Sequence, residues 1–213
     1  MKYKFIAVLA ASLFSAVPAF AAYVVDFDGP SSFLSIDQYY NGGTDGGGLS
    51  GPNLGIAFGL DGLALQNDSA GPYFSNNPTA LGILTPVGPS ATMNVAAGFF
   101  GETSFYYSST AATAVNVWSG LNGTGSLLGT FNLANNAQSN ACSDSPFCNW
   151  TLLTVDIGAG NVARSITFGD AANLAGFDNV TISAVPEPGS LALLAFGLAG
   201  MGALVARRKK AAL

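Results

Sequence analysis

Between residues 22 and 184 the chain holds one glutamate, Glu102, and no lysine at all. Those two residue types usually clothe the exposed faces of helices, so their absence removes the ordinary means of building an amphipathic helix. No stretch in this span sustains an apolar period of 3.6 residues. Short alternating runs stand between glycine-, asparagine- and proline-rich turns instead, which favours strands.

The strand candidates are Tyr23 to Phe27, Gly55 to Leu60, Leu63 to Gln66, Thr92 to Phe99, Thr103 to Ser109, Ala114 to Trp118, Ser126 to Leu133, Asn149 to Ile157, Val162 to Phe168 and Gly176 to Ser183. Asp61-Gly62 reads as a turn between two neighbours, and Leu121 to Gly125 as a hairpin turn. Tyr39 to Pro52, with six glycines in fourteen residues, reads as a flexible surface loop. Asn67 to Pro89 reads as mostly loop, with a short apolar piece at Ala80 to Leu84. Nine or ten such strands in one domain-sized body predict an all-β fold, an antiparallel β-sandwich of the jelly-roll kind. In such a fold the first and last strands often lie side by side.

The body carries eleven acidic side chains against one cation, Arg164, a net formal charge of −10. That balance argues against nucleic-acid binding, because phosphate neutralisation by Lys and Arg dominates such affinity. Solubility outside the cell, divalent-cation binding and contact with neutral sugars remain compatible. Cys142 and Cys148, with five residues between them, predict a local disulfide in an oxidising compartment. They make a poor zinc site, since the chain has no histidine, and their spacing is wrong for a redox dithiol.

The lack of histidine also removes Ser-His-Asp, Cys-His and histidine-metal chemistry. Carboxylates are then the remaining acids and bases. Glu102 reads as a solvated turn residue and Asp156 as an outward strand residue, so the body is expected to be non-catalytic. A polysaccharide hydrolase or lyase is the distant alternative. The metal expectation is a structural calcium: Asp26 and Asp28 end the first strand, while Asp178 and Asn179 lie in the last, and their oxygens converge if those strands pair. That arrangement resembles sites in galactose-binding-like sandwiches. The ligand expectation is sugar stacking. Tyr106 and Trp118 each sit opposite the inward set of their strand, whereas Phe105, Tyr107, Val115 and Val117 face in. Tyr39, Tyr40 and Trp150 add further aromatic surface.

The two ends carry signals. Lys2 and Lys4 precede an apolar run, Phe5 to Val17, and a small-x-small site, Ala19-Phe20-Ala21. This is the pattern of a secretory signal peptide over residues 1–21, cut by signal peptidase before Ala22, or alternatively after it. At the other end, Val185-Pro186-Glu187-Pro188 is followed by seventeen uncharged residues, Ser190 to Ala206, and by Arg207, Arg208, Lys209 and Lys210. Hydropathy predicts a single transmembrane helix over 190–206, at the short end for spanning, with the cations on the cytoplasmic side and the body outside.

The three-part tail over residues 185–213 resembles the PEP-CTERM sorting signal of exported proteins in Gram-negative bacteria that make extracellular polysaccharide. That resemblance implies recognition by an exosortase, with cutting near the Pro-Glu-Pro segment. It also implies an inner-membrane-anchored stage, with the body in the periplasm, before release to the cell surface or medium. The body, residues 22–184, more loosely resembles the domain common to many such proteins. The matching stretches are GIAFGLDGLAL, the TMNVAAGF and SFYYSS pair, NVWSGLNGTGSLLGTFNL and SITFGDAANLAGFDNVTIS. This second resemblance implies a sandwich like those of sugar-binding modules. The expected function is therefore a structural protein of the surface or polysaccharide matrix, with a carbohydrate-binding module for exopolysaccharide as the alternative.

Overall fold

The computed structural model describes residues 22–79, 81–140, 142–184 and 197. Ten strands form one antiparallel network: β1 (Ala22–Val25), β2 (Ile56–Phe58), β3 (Gly62–Gln66), β4 (Gly82–Pro86), β5 (Thr92–Ser109), β6 (Thr113–Trp118), β7 (Leu127–Leu133), β8 (Thr151–Asp156), β9 (Ala163–Thr167) and β10 (Ala175–Ala184). The sequence splits β5 into two strands at Phe100 to Glu102, but the chain runs through as one of 18 residues.

That long strand makes the sandwich. Its first part, around Met93, pairs with β2 on one side and β9 on the other. Its second part, from Phe99 to Ser109, pairs with β10 and β8. Gly98 and Gly101 have φ of 89° and 69°, left-handed geometry that glycine adopts without a Cβ penalty, and the β9 ladder is interrupted between Asn94 and Phe99. One layer is thus β2, β5, β9, β6 and β7; the other is β3, β4, β10, β5 and β8, with β1 added to β10. The two layers are joined through β5, unlike the separate sheets expected of a jelly roll.

Phenylalanines fill the space between layers. Phe105 of β5 meets Phe131 of β7 at 4.3 Å between ring centroids, and Phe177 of β10 at 5.2 Å. Phe168, just after β9, lies 4.8 Å from Phe177. All four are buried. A second aromatic group, Phe27, Tyr40 and Phe58, sits where β1 ends, with centroid separations of 5.8 to 6.3 Å.

The pairing of the first and last strands is as expected: β1 lies antiparallel to β10, with Ala22 opposite Ser183. The Asp61-Gly62 turn forms, but β2 and β3 do not pair with each other. β2 joins β5 in one layer and β3 joins β4 in the other, so the turn is an arch between layers rather than a hairpin. The glycine-rich loop is likewise not a loose excursion. The Asp45 carboxylate, almost fully buried, accepts the amides of Ser31 (2.7 Å), Gly47 (2.8 Å) and Leu49 (2.9 Å).

The expected C-terminal transmembrane helix is corrected. Among the described residues no helix is long and apolar enough to cross a membrane. Of the stretch 190–206 only Gly197 is described, and the rest lies outside the described residues. Seventeen residues rise about 26 Å as a helix, short of a hydrocarbon core about 30 Å thick, and three of them, Gly197, Gly200 and Gly202, weaken helix formation. The expected inner-membrane-anchored stage, which needs that helix, falls with it. The residues expected to form a signal peptide, including Ala19 and Ala21, the motif Val185 to Pro188 and the cluster Arg207 to Lys210 also lie outside the described residues.

Candidate functional site

The outer face of the second layer carries a cleft of about 680 Å³. Its floor comes from strand parity. Tyr106 is opposite Asp178 on β10 and Leu152 on β8, so these three side chains share the outer face while Phe105 and Tyr107 are buried inside. Trp150 has the same parity as Leu152 and joins Tyr106 in lining the cleft. Both rings are half-buried. Trp150 lies over Gly176, where a Cβ would stand 3.4 Å from the indole and 2.7 Å from Ile83.

The walls are two loops stitched together. The Trp150 indole N–H donates to the Ser75 carbonyl (2.9 Å), and the Ser75 amide donates to Phe147 (3.0 Å). Asn76 Nδ2 donates to the Cys148 carbonyl at 3.2 Å. Cys142 and Cys148 form the expected disulfide, with Cα atoms 5.9 Å apart, and it lines the cleft. Asn140 Nδ2 donates to Asn149 Oδ1 (3.0 Å), and Asn149 Nδ2 to the Asn136 carbonyl (3.1 Å). Asn76, Asn140, Asn149 and Pro78 complete the lining, which contains no charged side chain.

Pro78 is held from below. Its neighbour Thr79 donates to the Asp178 carboxylate through its amide (3.0 Å) and its hydroxyl (2.8 Å), and the Asn179 amide adds a third donor at 2.7 Å. Asp178 is fully buried, and burial raises its pKa to about 6 although these bonds pull the other way.

That use of Asp178 bears on the four residues expected to hold calcium. Asp28 Oδ1 accepts the Leu81 (3.1 Å) and Gly82 (2.7 Å) amides. Asp26 and Asp28 instead line a second cleft of about 360 Å³, with Tyr39 and Tyr40. Among the described residues no group of three or more His, Cys, Asp or Glu side chains is placed to hold a metal ion.

Trp118 is half-buried on the outer face of the other layer, with its indole N–H donating to Thr167 Oγ1 at 3.1 Å. Tyr106 and Trp118 therefore belong to opposite faces of the molecule. Glu102 and Asp156 are exposed cross-strand partners and line neither cleft. Sequence reasoning missed the asparagine walls and did not single out Trp150. Its parity with the outward Leu152, Thr154 and Asp156 is the signal that could have found it.

No curated protein matches the chain in sequence. Among solved structures, the K2 cleaved adhesin domain of Lys-gingipain is 12% identical, with a TM-score of 0.45 over 76% of this chain and 99% of that one. The K1 adhesin domain of Lys-gingipain from Porphyromonas gingivalis W83 is 13% identical, with a TM-score of 0.41 over 78% and 99%. A family 29 carbohydrate-binding module from Piromyces equi is 12% identical, with a TM-score of 0.40 over 78% and 92%. At these TM-scores the likenesses carry no weight about function. The tail is another matter: residues 184–209 match the PEP-CTERM protein-sorting motif, which supports an exosortase-substrate protein.

Proposed function

We propose that the body, residues 22–184, is a carbohydrate-binding domain that takes neutral sugar residues of an extracellular polysaccharide in the Tyr106–Trp150 cleft. The observation that carries this is the lining itself: two half-buried aromatic rings, three asparagine amides and no charge. Aromatic faces offer apolar area to the C–H face of a sugar ring, while amides can both donate to and accept from its hydroxyls. Asn76 Oδ1 and Asn140 Oδ1 make no hydrogen bond among the described residues, which leaves them acceptors for a ligand. Signal peptidase would free Ala22, and an exosortase acting near Pro186 to Pro188 would complete a protein that works at the cell surface or in the matrix.

The test is binding of the protein to an array of neutral oligosaccharides and polysaccharides, followed by titration calorimetry on any hit. Tyr106→Ala, half-exposed and making no side-chain hydrogen bond among the described residues, is the variant of choice. It should weaken binding by about tenfold or more, as loss of an aromatic anchor does. Absence of any glycan ligand would leave the body a structural matrix component. Turnover of a polymer that disappears in Glu102→Gln would support a hydrolase or lyase instead.

A further inference from the structure

The chain has two tryptophans, and each stands on a different outer face. Trp150 lines the first cleft, while Trp118 ends β6 in the other layer. The indole N–H of Trp118 donates to Thr167 Oγ1 at 3.1 Å, so the one polar atom of the side chain is already used. A register shift between Val117 and Trp118 places Leu127 of β7 opposite the tryptophan, and that leucine is 52% exposed. Without the shift Leu127 would share the inward parity of Gly129 and Phe131. Bulges re-aim side chains in this way, and here an apolar one is turned out beside the indole.

The turn at Leu121–Gly123 lies back against the same face. The Asn122 amide donates to Asn94 Oδ1 (2.7 Å), and Asn94 Nδ2 donates to Asn122 Oδ1 (2.9 Å). The Gly123 amide donates to Ser165 Oγ (3.0 Å), which in turn donates to the Gly120 carbonyl (2.6 Å). Gly123, with a φ of 68°, approaches so closely that a Cβ there would stand 2.7 Å from Thr167 Cγ2 and 3.8 Å from the indole nitrogen. The turn is thereby fixed beside the ring. Asn122 is exposed, and its Nδ2 makes no hydrogen bond among the described residues.

We infer that the Trp118 face is a second platform for a neutral glycan strand, so that one body holds two strands on opposite faces and cross-links them. The cross-linking rests on the reading of the Tyr106–Trp150 cleft as a glycan site. A half-buried ring whose N–H is satisfied offers a ligand apolar area alone, which suits the C–H face of a sugar, and Asn122 Nδ2 supplies a donor for a hydroxyl. A ring and turn already held in place lose little freedom on binding. The residues paired with Trp118, Leu127 and Ser165, and its bonding partner Thr167 are all uncharged. A neutral strand therefore meets no repulsion there, whereas a second copy of the chain would bring another body of net charge −10 to the contact. The two layers stand about 10 Å apart and their outer faces look away from each other, so a straight strand seated on one face does not reach the other. With a single ring and no walls, the platform should bind more weakly than the cleft.

Titration calorimetry of the full-length protein with cellopentaose, beside light scattering with soluble glucomannan, provides the test. Two sites per protein are expected, the weaker by about tenfold. Trp118→Ala should remove the weaker site and Tyr106→Ala the tighter one. Either variant should abolish the rise in scattering that the unmodified protein gives with the polymer, since one site cannot bridge two strands. Leu127→Asp, at an exposed position, should also remove the weaker site, which keeps the test decisive should Trp118→Ala not fold. A single site that Tyr106→Ala removes would overturn the inference and leave the first cleft standing. A single site that survives Tyr106→Ala but not Trp118→Ala would instead sink the reading of the first cleft, and cross-linking with it. Binding of neither glycan, or a dimer of the free protein that Leu127→Asp dissociates, would overturn the inference as well.

Discussion

Asp178 and Asp45 are both buried carboxylates, and they titrate in opposite directions. Burial raises Asp178 to about 6, whereas three amide donors, working against burial, hold Asp45 below the usual carboxylate range. Below about pH 4 Asp178 is protonated in both folded and unfolded chains and adds no pH dependence. Between about pH 4 and pH 6 the folded chain keeps a proton that the unfolded chain has released, so stability falls as pH rises. Above pH 6 the loss is complete, at about 3 kcal/mol. The Asp45 contribution is present above about pH 4 and is lost as pH falls through its own lowered value. We expect the stability maximum on the acid side of neutrality. Thermal melts from pH 4 to pH 8 check this, and Asp178→Asn should flatten the fall between pH 4 and pH 6. Gly176 supplies a second residue-scale test. A methyl there crowds the Trp150 ring and Ile83 Cδ1, so Gly176→Ala should cost about 1 kcal/mol and shift the indole fluorescence.

The element that shapes the first cleft is the loop closed by Cys142 and Cys148. A ring this short contributes about 2 kcal/mol by restricting the unfolded chain. Replacing both cysteines by serine should lower stability by that amount. It should also weaken binding in the first cleft, because Asn76 holds to this loop through the Cys148 carbonyl. Denaturant unfolding beside glycan titration separates the two effects. This element also shows how far local signals reach. The β6–β7 hairpin was legible because Val115 and Val117 point one way, Asn116 and Trp118 the other, and Asn122-Gly123 sits at the tip, with positive φ at both. The outward parity of Tyr106 was legible for the same reason. The partners of β2 and β3 were not, because the Asp-Gly signal specifies a reversal of the chain but not which strand lies beside each arm. β4 was read as an apolar fragment of a loop, since its strand character comes from β3 and β10 on either side. The asparagine walls were illegible because their meeting depends on bonds across 66 or more residues, such as Asn76 to Cys148.

At the scale of the molecule, a body of net charge −10 bracketed by two cationic ends should change character on maturation. We expect the species recovered from the native host to run from about Ala22 to the Val185–Pro188 segment. Intact-mass measurement of separate cell and medium fractions checks both cuts at once, and a protein still ending at Leu213 would count against exosortase processing. Ala22 stands opposite Ser183 in the ladder, and the sorting motif begins where β10 stops. The body therefore comes close to being a closed ring with a single nick. A variant that joins Ala184 to Ala22 through a few glycines and opens instead at the exposed Ala159-Gly160 turn should keep both clefts, because its order in space does not depend on where the chain starts.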